Sequence, residues 1–98
     1  MTIENVLEGT KLTLTLIGRL DTTTAPKLEA ELKHSISGVQ TLIFDFAEVA
    51  YISSAGLRVL LAAQKVMNRQ GTMILRNVNE AVNEVFEITG FCDILTIE

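Results

Sequence analysis

Tyr51-Ile52-Ser53-Ser54-Ala55-Gly56-Leu57-Arg58-Val59-Leu60-Leu61 is the stretch from which the fold can be read. It follows an apolar strand segment ending near Phe46, passes two hydroxyls and a glycine, and enters a long run of helix formers. That is a strand, a turn and a helix start. A hydroxyl ahead of a helix ordinarily accepts a bond from an unpaired first-turn amide, so Ser53 and Ser54 read first as N-caps. A helix N-terminus also favours an anion, and a phosphate on either serine would be tolerated there.

Working backward, Thr2 to Leu7 and Lys11 to Ile17 are two β-prone runs separated by Glu8-Gly9-Thr10, which predicts an antiparallel hairpin. Leu12, Leu14 and Leu16 alternate with Thr13 and Thr15, giving one buried and one wet face. Gly18 ends this strand or bulges it. A helix is expected from about Thr24, with Pro26 in its first turn and Ala25, Leu28, Leu32 and Ile36 as its apolar stripe, before Ser37-Gly38 closes it. His34 falls between stripe residues and reads as a surface or boundary histidine. Thr41 to Phe46 is almost continuously apolar, as a central strand covered on both faces would be. Its exception, Asp45, reads as a carboxylate satisfying loop amides or as a chemical group.

Working forward, the helix from Ser54 is expected to reach Gln70, with Gly71 as its stop. Leu57, Val59, Leu60, Leu61, Ala63, Val66 and Met67 cover most of its circumference, so the helix reads as largely buried, with Arg58, Ala62, Lys65 and Arg69 on a narrow strip. The three cations form either a solvated face or a surface for an acidic partner. Thr72 to Leu75 make a short strand, Asn79 caps a third helix stopped by Gly90, and Ile94 to Ile97 could form an edge strand. The expected order is ββαβαβαβ: an α/β sandwich with a mixed sheet of four to five strands and three or four helices, in one domain over residues 1–98.

Ninety-eight residues at 48% hydrophobic content suffice for one core. The net charge of −4 has the wrong sign for a nucleic-acid binder. No apolar run approaches the roughly 20 residues that span a bilayer, no signal sequence is apparent at Met1-Thr2-Ile3-Glu4, and the single Cys92 fits a reducing compartment; a cytoplasmic protein without a membrane partner is expected. No metal-ligand spacing, Walker A or dinucleotide glycine pattern occurs, so neither metal nor cofactor is expected.

Taken together, Gly18-Arg19-Leu20-Asp21, Leu42 to Phe46 followed by Val49, Ser53-Ser54-Ala55-Gly56-Leu57, and Val85-Phe86-Glu87-Ile88-Thr89-Gly90-Phe91 resemble the STAS domain family, and within it the small bacterial anti-sigma factor antagonists. The resemblance covers essentially the whole chain. It implies a non-enzymatic binding module whose serine two places before the turn glycine, here Ser54, is phosphorylated by a partner that is both anti-sigma factor and serine kinase, and dephosphorylated by a PP2C-type phosphatase. It further implies that the unphosphorylated form binds the kinase and frees the sigma factor. Ser53 and Ala55 stand where the commonest family pattern has an aspartate and a Ser or Thr, which makes Ser53 the competing acceptor.

The resemblance also places Asp21 beside the serine turn, where it would orient the serine or contact the kinase, or act only in helix N-terminal electrostatics. Gly56 would allow close approach of a partner or close packing of its own helix, and Leu57 and Arg58 complete the expected contact surface. A monomer is expected. Two other outputs fit the same family: an accessory subunit of a transport or lipid-trafficking complex, and partner switching without a sigma factor.

Overall fold

A computed structural model describes all residues, 1–98. The chain forms β1 (Thr2–Glu8), β2 (Lys11–Leu20), α1 (Ala25–Ser35), β3 (Thr41–Ile52), α2 (Ser54–Gln70), β4 (Thr72–Arg76) and α3 (Glu80–Thr89), then a 3₁₀ turn, Phe91–Asp93. The four strands lie in the order β1-β2-β3-β4. β1 and β2 are antiparallel, joined through Gly9 at φ +63°, while β2, β3 and β4 are parallel. This is the α/β mixed-sheet architecture expected from the sequence.

The last expected strand is reduced to one bridge, Ile97 against Leu75, because Phe91–Asp93 turns as a 3₁₀ segment and Leu95 is drawn into the core. Two strands are longer than their apolar runs suggested. β2 continues through Gly18, whose φ of +116° accompanies a register shift, and β3 continues past Phe46 to Ile52. In β3 the core residues Phe46, Val49 and Ile52 are three apart, which breaks strand alternation. Two register shifts against β2 absorb the extra residues, so that Val49 and Ile52 still point with Phe46 into the core.

Leu12, Leu14, Leu42, Phe44, Met73 and Leu75 stand in register across the parallel strands, and all belong to one cluster. Leu28 and Leu32 of α1, Leu57, Leu60 and Met67 of α2, and Val82 and Phe86 of α3 join the same cluster. All three helices therefore pack on one face. Ile43, buried yet outside that cluster, lies on the other face with Thr13 and Ile74 as its register neighbours. β3 is thus not covered by helices on both sides, contrary to the sequence expectation, since Ile43 is apolar and buried on the helix-free face and so makes the run read as a doubly covered strand.

Helix α2 also differs from its expected all-round burial. Val66 is 40% exposed and Leu61 half-buried, while Gln64 takes a buried place, because the helix lies on one sheet face with its outer side free. Asp45 settles on its loop reading: its Oδ1 accepts the Ala47 amide at 2.9 Å and Asn77 Nδ2 at 3.1 Å. Asn79 caps α3 by accepting the Val82 amide at 2.8 Å, and Gly90 ends it at φ +79°.

Candidate functional site

The parallel strands β2 and β3 finish together, with Arg19 opposite Tyr51 and Leu20 opposite Ile52. The Ser53 amide then donates to the Leu20 carbonyl at 2.9 Å, which fastens the serine turn to the start of the Asp21 loop. The longer strands therefore bring together two sequence motifs some thirty residues apart.

On the first side, Asp21 builds its own loop. Its Oδ1 accepts the amides of Thr23 and Thr24 at 3.0 and 3.1 Å, and its backbone amide donates to Thr24 Oγ1 at 2.9 Å. Partial burial pushes the Asp21 carboxyl up, but the hydrogen bonds from Thr24 and Thr23 outweigh it and hold it below the usual aspartate value. Oδ2 faces Arg19 Nε at 3.6 Å, and the Arg19 guanidinium lies 4.5 Å from the centre of the Tyr51 ring. Arg19 and Tyr51 were not singled out as site residues from sequence. The paired lengths of β2 and β3, once both are continued past their glycine or bulge, are the signal that would have found them.

On the second side, Ser53 occupies the N-cap of α2 with extended backbone, φ −102° and ψ 174°, and its carbonyl accepts the Leu57 amide at 3.0 Å. Its hydroxyl makes no capping bond and is buried without a hydrogen-bond partner. This corrects the expectation of a side-chain cap: the Ser53 Oγ is turned inward. Ser54 is the first residue of α2 and is exposed, as is Arg58; Ala55 is half-buried.

Gly56 and Leu57 face the core rather than solvent. A Cβ at Gly56 would stand 2.7 Å from Leu20 Cγ and 3.0 Å from Ile52 Cγ1, so close packing of α2 on the strand ends accounts for this glycine. Of the six expected contact residues, Arg58 is exposed and Asp21 and Ala55 are half-buried, while Gly56 and Leu57 are buried and Ser53, half-buried as a residue, keeps its hydroxyl inside.

The first turns of α1 and α2 flank a shallow depression of about 200 Å³, lined by Thr22, Pro26, Glu29, Ala55 and Arg58 among others. The first turn of α2 carries no acidic side chain. Its amides and dipole are therefore uncompensated by a local carboxylate, a setting that accepts negative charge on Ser54. His34 stands in the last turn of α1. An eleven-residue helix places it roughly 15 Å along the axis from the end beside the serine turn, out of reach for a base acting on Ser54.

The family model described as the STAS domain matches residues 2–98. Bordetella bronchiseptica BtrV, named provisionally as an anti-sigma factor antagonist, is 40% identical over 84 residues, covering 84% of this chain and 72% of that protein. The anti-sigma-B factor antagonist of Listeria monocytogenes is 35% identical over 83 residues, covering 83% of this chain and 73% of that protein. Among solved structures, the anti-sigma factor antagonist SpoIIAA in its unphosphorylated form gives a TM-score of 0.78 at 19% identity, covering 99% of this chain and 87% of that one. The phosphorylated form of SpoIIAA from Bacillus gives 0.77 at 20% identity, covering 99% and 91%.

Proposed function

The chain belongs to the STAS domain family, and from that premise we propose that it is an anti-sigma factor antagonist whose binding is switched by phosphorylation of Ser54. The observation that carries the reading is the division of labour between the two serines. Ser54 is exposed at the first position of α2, whereas the Ser53 hydroxyl is buried. Only one of the two hydroxyls is presented to a kinase.

In this reading the unphosphorylated protein binds an anti-sigma factor that is also a serine kinase, and so frees the sigma factor. The kinase supplies the ATP. Ser54 Oγ attacks the γ-phosphorus, the Oγ–P bond forms as the bond to ADP breaks, and the hydroxyl proton leaves to the kinase or solvent. A PP2C-type phosphatase reverses the state by hydrolysing the ester to serine and inorganic phosphate. The protein itself contributes no catalytic residue and acts as a binding module in the cytoplasm.

The switch follows from charge. Phosphorylation adds about −1.5 to −2 at neutral pH. An interface closed over Ser54 would have to desolvate that charge, at a cost no neutral contact offsets. The folded state escapes this cost because the phosphate sits at a helix N-terminus in water. That SpoIIAA has been solved in both forms, and that this chain matches the two equally well in fold, supports a switch of binding without unfolding.

The test is incubation with a candidate serine kinase and ATP, followed by site mapping in wild type and Ser54→Ala. Phosphate on Ser54 alone, and loss of kinase binding by the phosphoprotein, are expected. Label that persists in Ser54→Ala, or a phosphoprotein that binds as tightly as the unmodified one, would sink the proposal.

A further inference from the structure

We propose that the phosphoryl group on Ser54 is captured by Arg58 of the same helix, so that modification also withdraws this cation from the surface offered to the partner. The inference rests on the reading of Ser54 as the modified residue, and concerns what the phosphate does once present.

Ser54 and Arg58 are four residues apart in α2, and both are exposed. Side chains at that spacing are neighbours on a helix surface, about 5–6 Å apart at Cβ. Nothing bulky stands between them, since Leu57 points into the core and Ala55 is a methyl. Arg58 has a free guanidinium: the protein's ion pairs join Arg19 to Asp21, Lys33 to Glu29 and Arg76 to Glu98, leaving Arg58 out.

The surrounding charges favour the same pairing. α2 contains no acidic residue, so no carboxylate of its own helix competes for Arg58. Across the depression Glu29 faces Arg58, but its carboxylate already lies 3.7 Å from Lys33 Nζ. At the other side of the serine turn, Arg19 is engaged by Asp21 and the Tyr51 ring. Of the two arginines at this end of the sheet, Arg58 is therefore the one available to a new anion. A guanidinium also meets a phosphate dianion through two parallel hydrogen bonds, which a solvated lysine would not match.

The experiment uses the full chain with phosphoserine installed at position 54 during translation, so that no kinase is required. The ³¹P resonance is titrated between pH 4 and 8 in wild type, Arg58→Gln and Arg19→Gln. Free phosphoserine takes its second charge near pH 6. An ion pair at this spacing is expected to hold the wild-type midpoint down, and Arg58→Gln to raise it by about 0.3 pH unit. Arg19→Gln removes the same charge from the same end of the sheet, and is expected to move the midpoint by less than half as much.

Equal shifts in the two variants would reduce the effect to a general field, and no shift in Arg58→Gln would exclude the contact; either overturns the inference. Kinase label that persists in Ser54→Ala would instead refute the proposed switch, while the titration of the installed phosphoserine still decides the role of Arg58.

Discussion

Replacing Gly56 by alanine sets two effects of opposite sign against each other. In an exposed helix interior the substitution gains about 1 kcal/mol from helix propensity. At Gly56 the added methyl meets Leu20 Cγ at 2.7 Å, Leu20 Cδ2 at 3.1 Å and Ile52 Cγ1 at 3.0 Å. Neither neighbour has room to retreat: Leu20 is 0% and Ile52 3% exposed, and both are held at paired strand ends. Overpacking of this kind costs about 1–3 kcal/mol, and with two anchored neighbours the upper part of that range applies. The net expectation is a loss of about 1–2 kcal/mol, or roughly 5–15 °C in Tm for a domain of this size. Urea unfolding followed by far-UV circular dichroism measures it directly. Shortening the neighbour with Leu20→Val in the Gly56→Ala background should recover at least about 0.5 kcal/mol relative to the sum of the single changes. If Gly56→Ala unfolds at the same or a higher urea concentration than wild type, the packing account of this glycine is wrong.

Gly71→Ala should be costlier, about 3 kcal/mol or more, because the new Cβ would run into the backbone carbonyl of Gln40, which itself accepts the Thr72 amide; chemical denaturation reads this out. Ser53→Ala is expected to leave stability within about 0.5 kcal/mol of wild type, since the hydroxyl makes no capping bond, and a loss of 1 kcal/mol or more in the same assay would restore the capping role. Asp21 has its carboxyl held low in the folded state, so its contribution is present above the unfolded aspartate value near 3.9 and is lost as pH falls through the lower folded value. Urea midpoints measured from pH 5 down to 3 should therefore fall less steeply in Asp21→Asn than in wild type.

Much of this was legible because the signals were local. Gly9 between two β-prone runs, Asn79 ahead of an apolar edge, and Gly90 after it each specify their element through backbone chemistry that neighbours do not override. The spacing of Phe46, Val49 and Ile52 was misleading for a physical reason: three-residue steps look like a loop, and only pairing with β2 turns them into a bulged strand. The burial of α2 was overread because leucine, valine and alanine around a helix do not reveal that the sheet beneath covers only one side. The Ser53 hydroxyl exposes a third limit. A serine at an N-cap position is compatible with a capping bond and with an inward rotamer, and the residue type alone does not distinguish the two. At the site, Ser54, Asp21 and Arg58 could be named from the chain, whereas Arg19 stacked on Tyr51 required the register.

The strand order carries one more consequence. Parallel strands β2, β3 and β4 are laid down side by side without a reversal, and right-handed crossovers of that kind send α1 and α2 to the same face. Open α/β sheets that bind small molecules do so in the crevice left where the order reverses and successive helices part to opposite sides. Here the helices stay together, and the carboxyl ends of the strands finish under adjoining helix starts instead of opening into a crevice. A visitor to this end must therefore bring its own walls, which is a geometry suited to recognition by another folded protein.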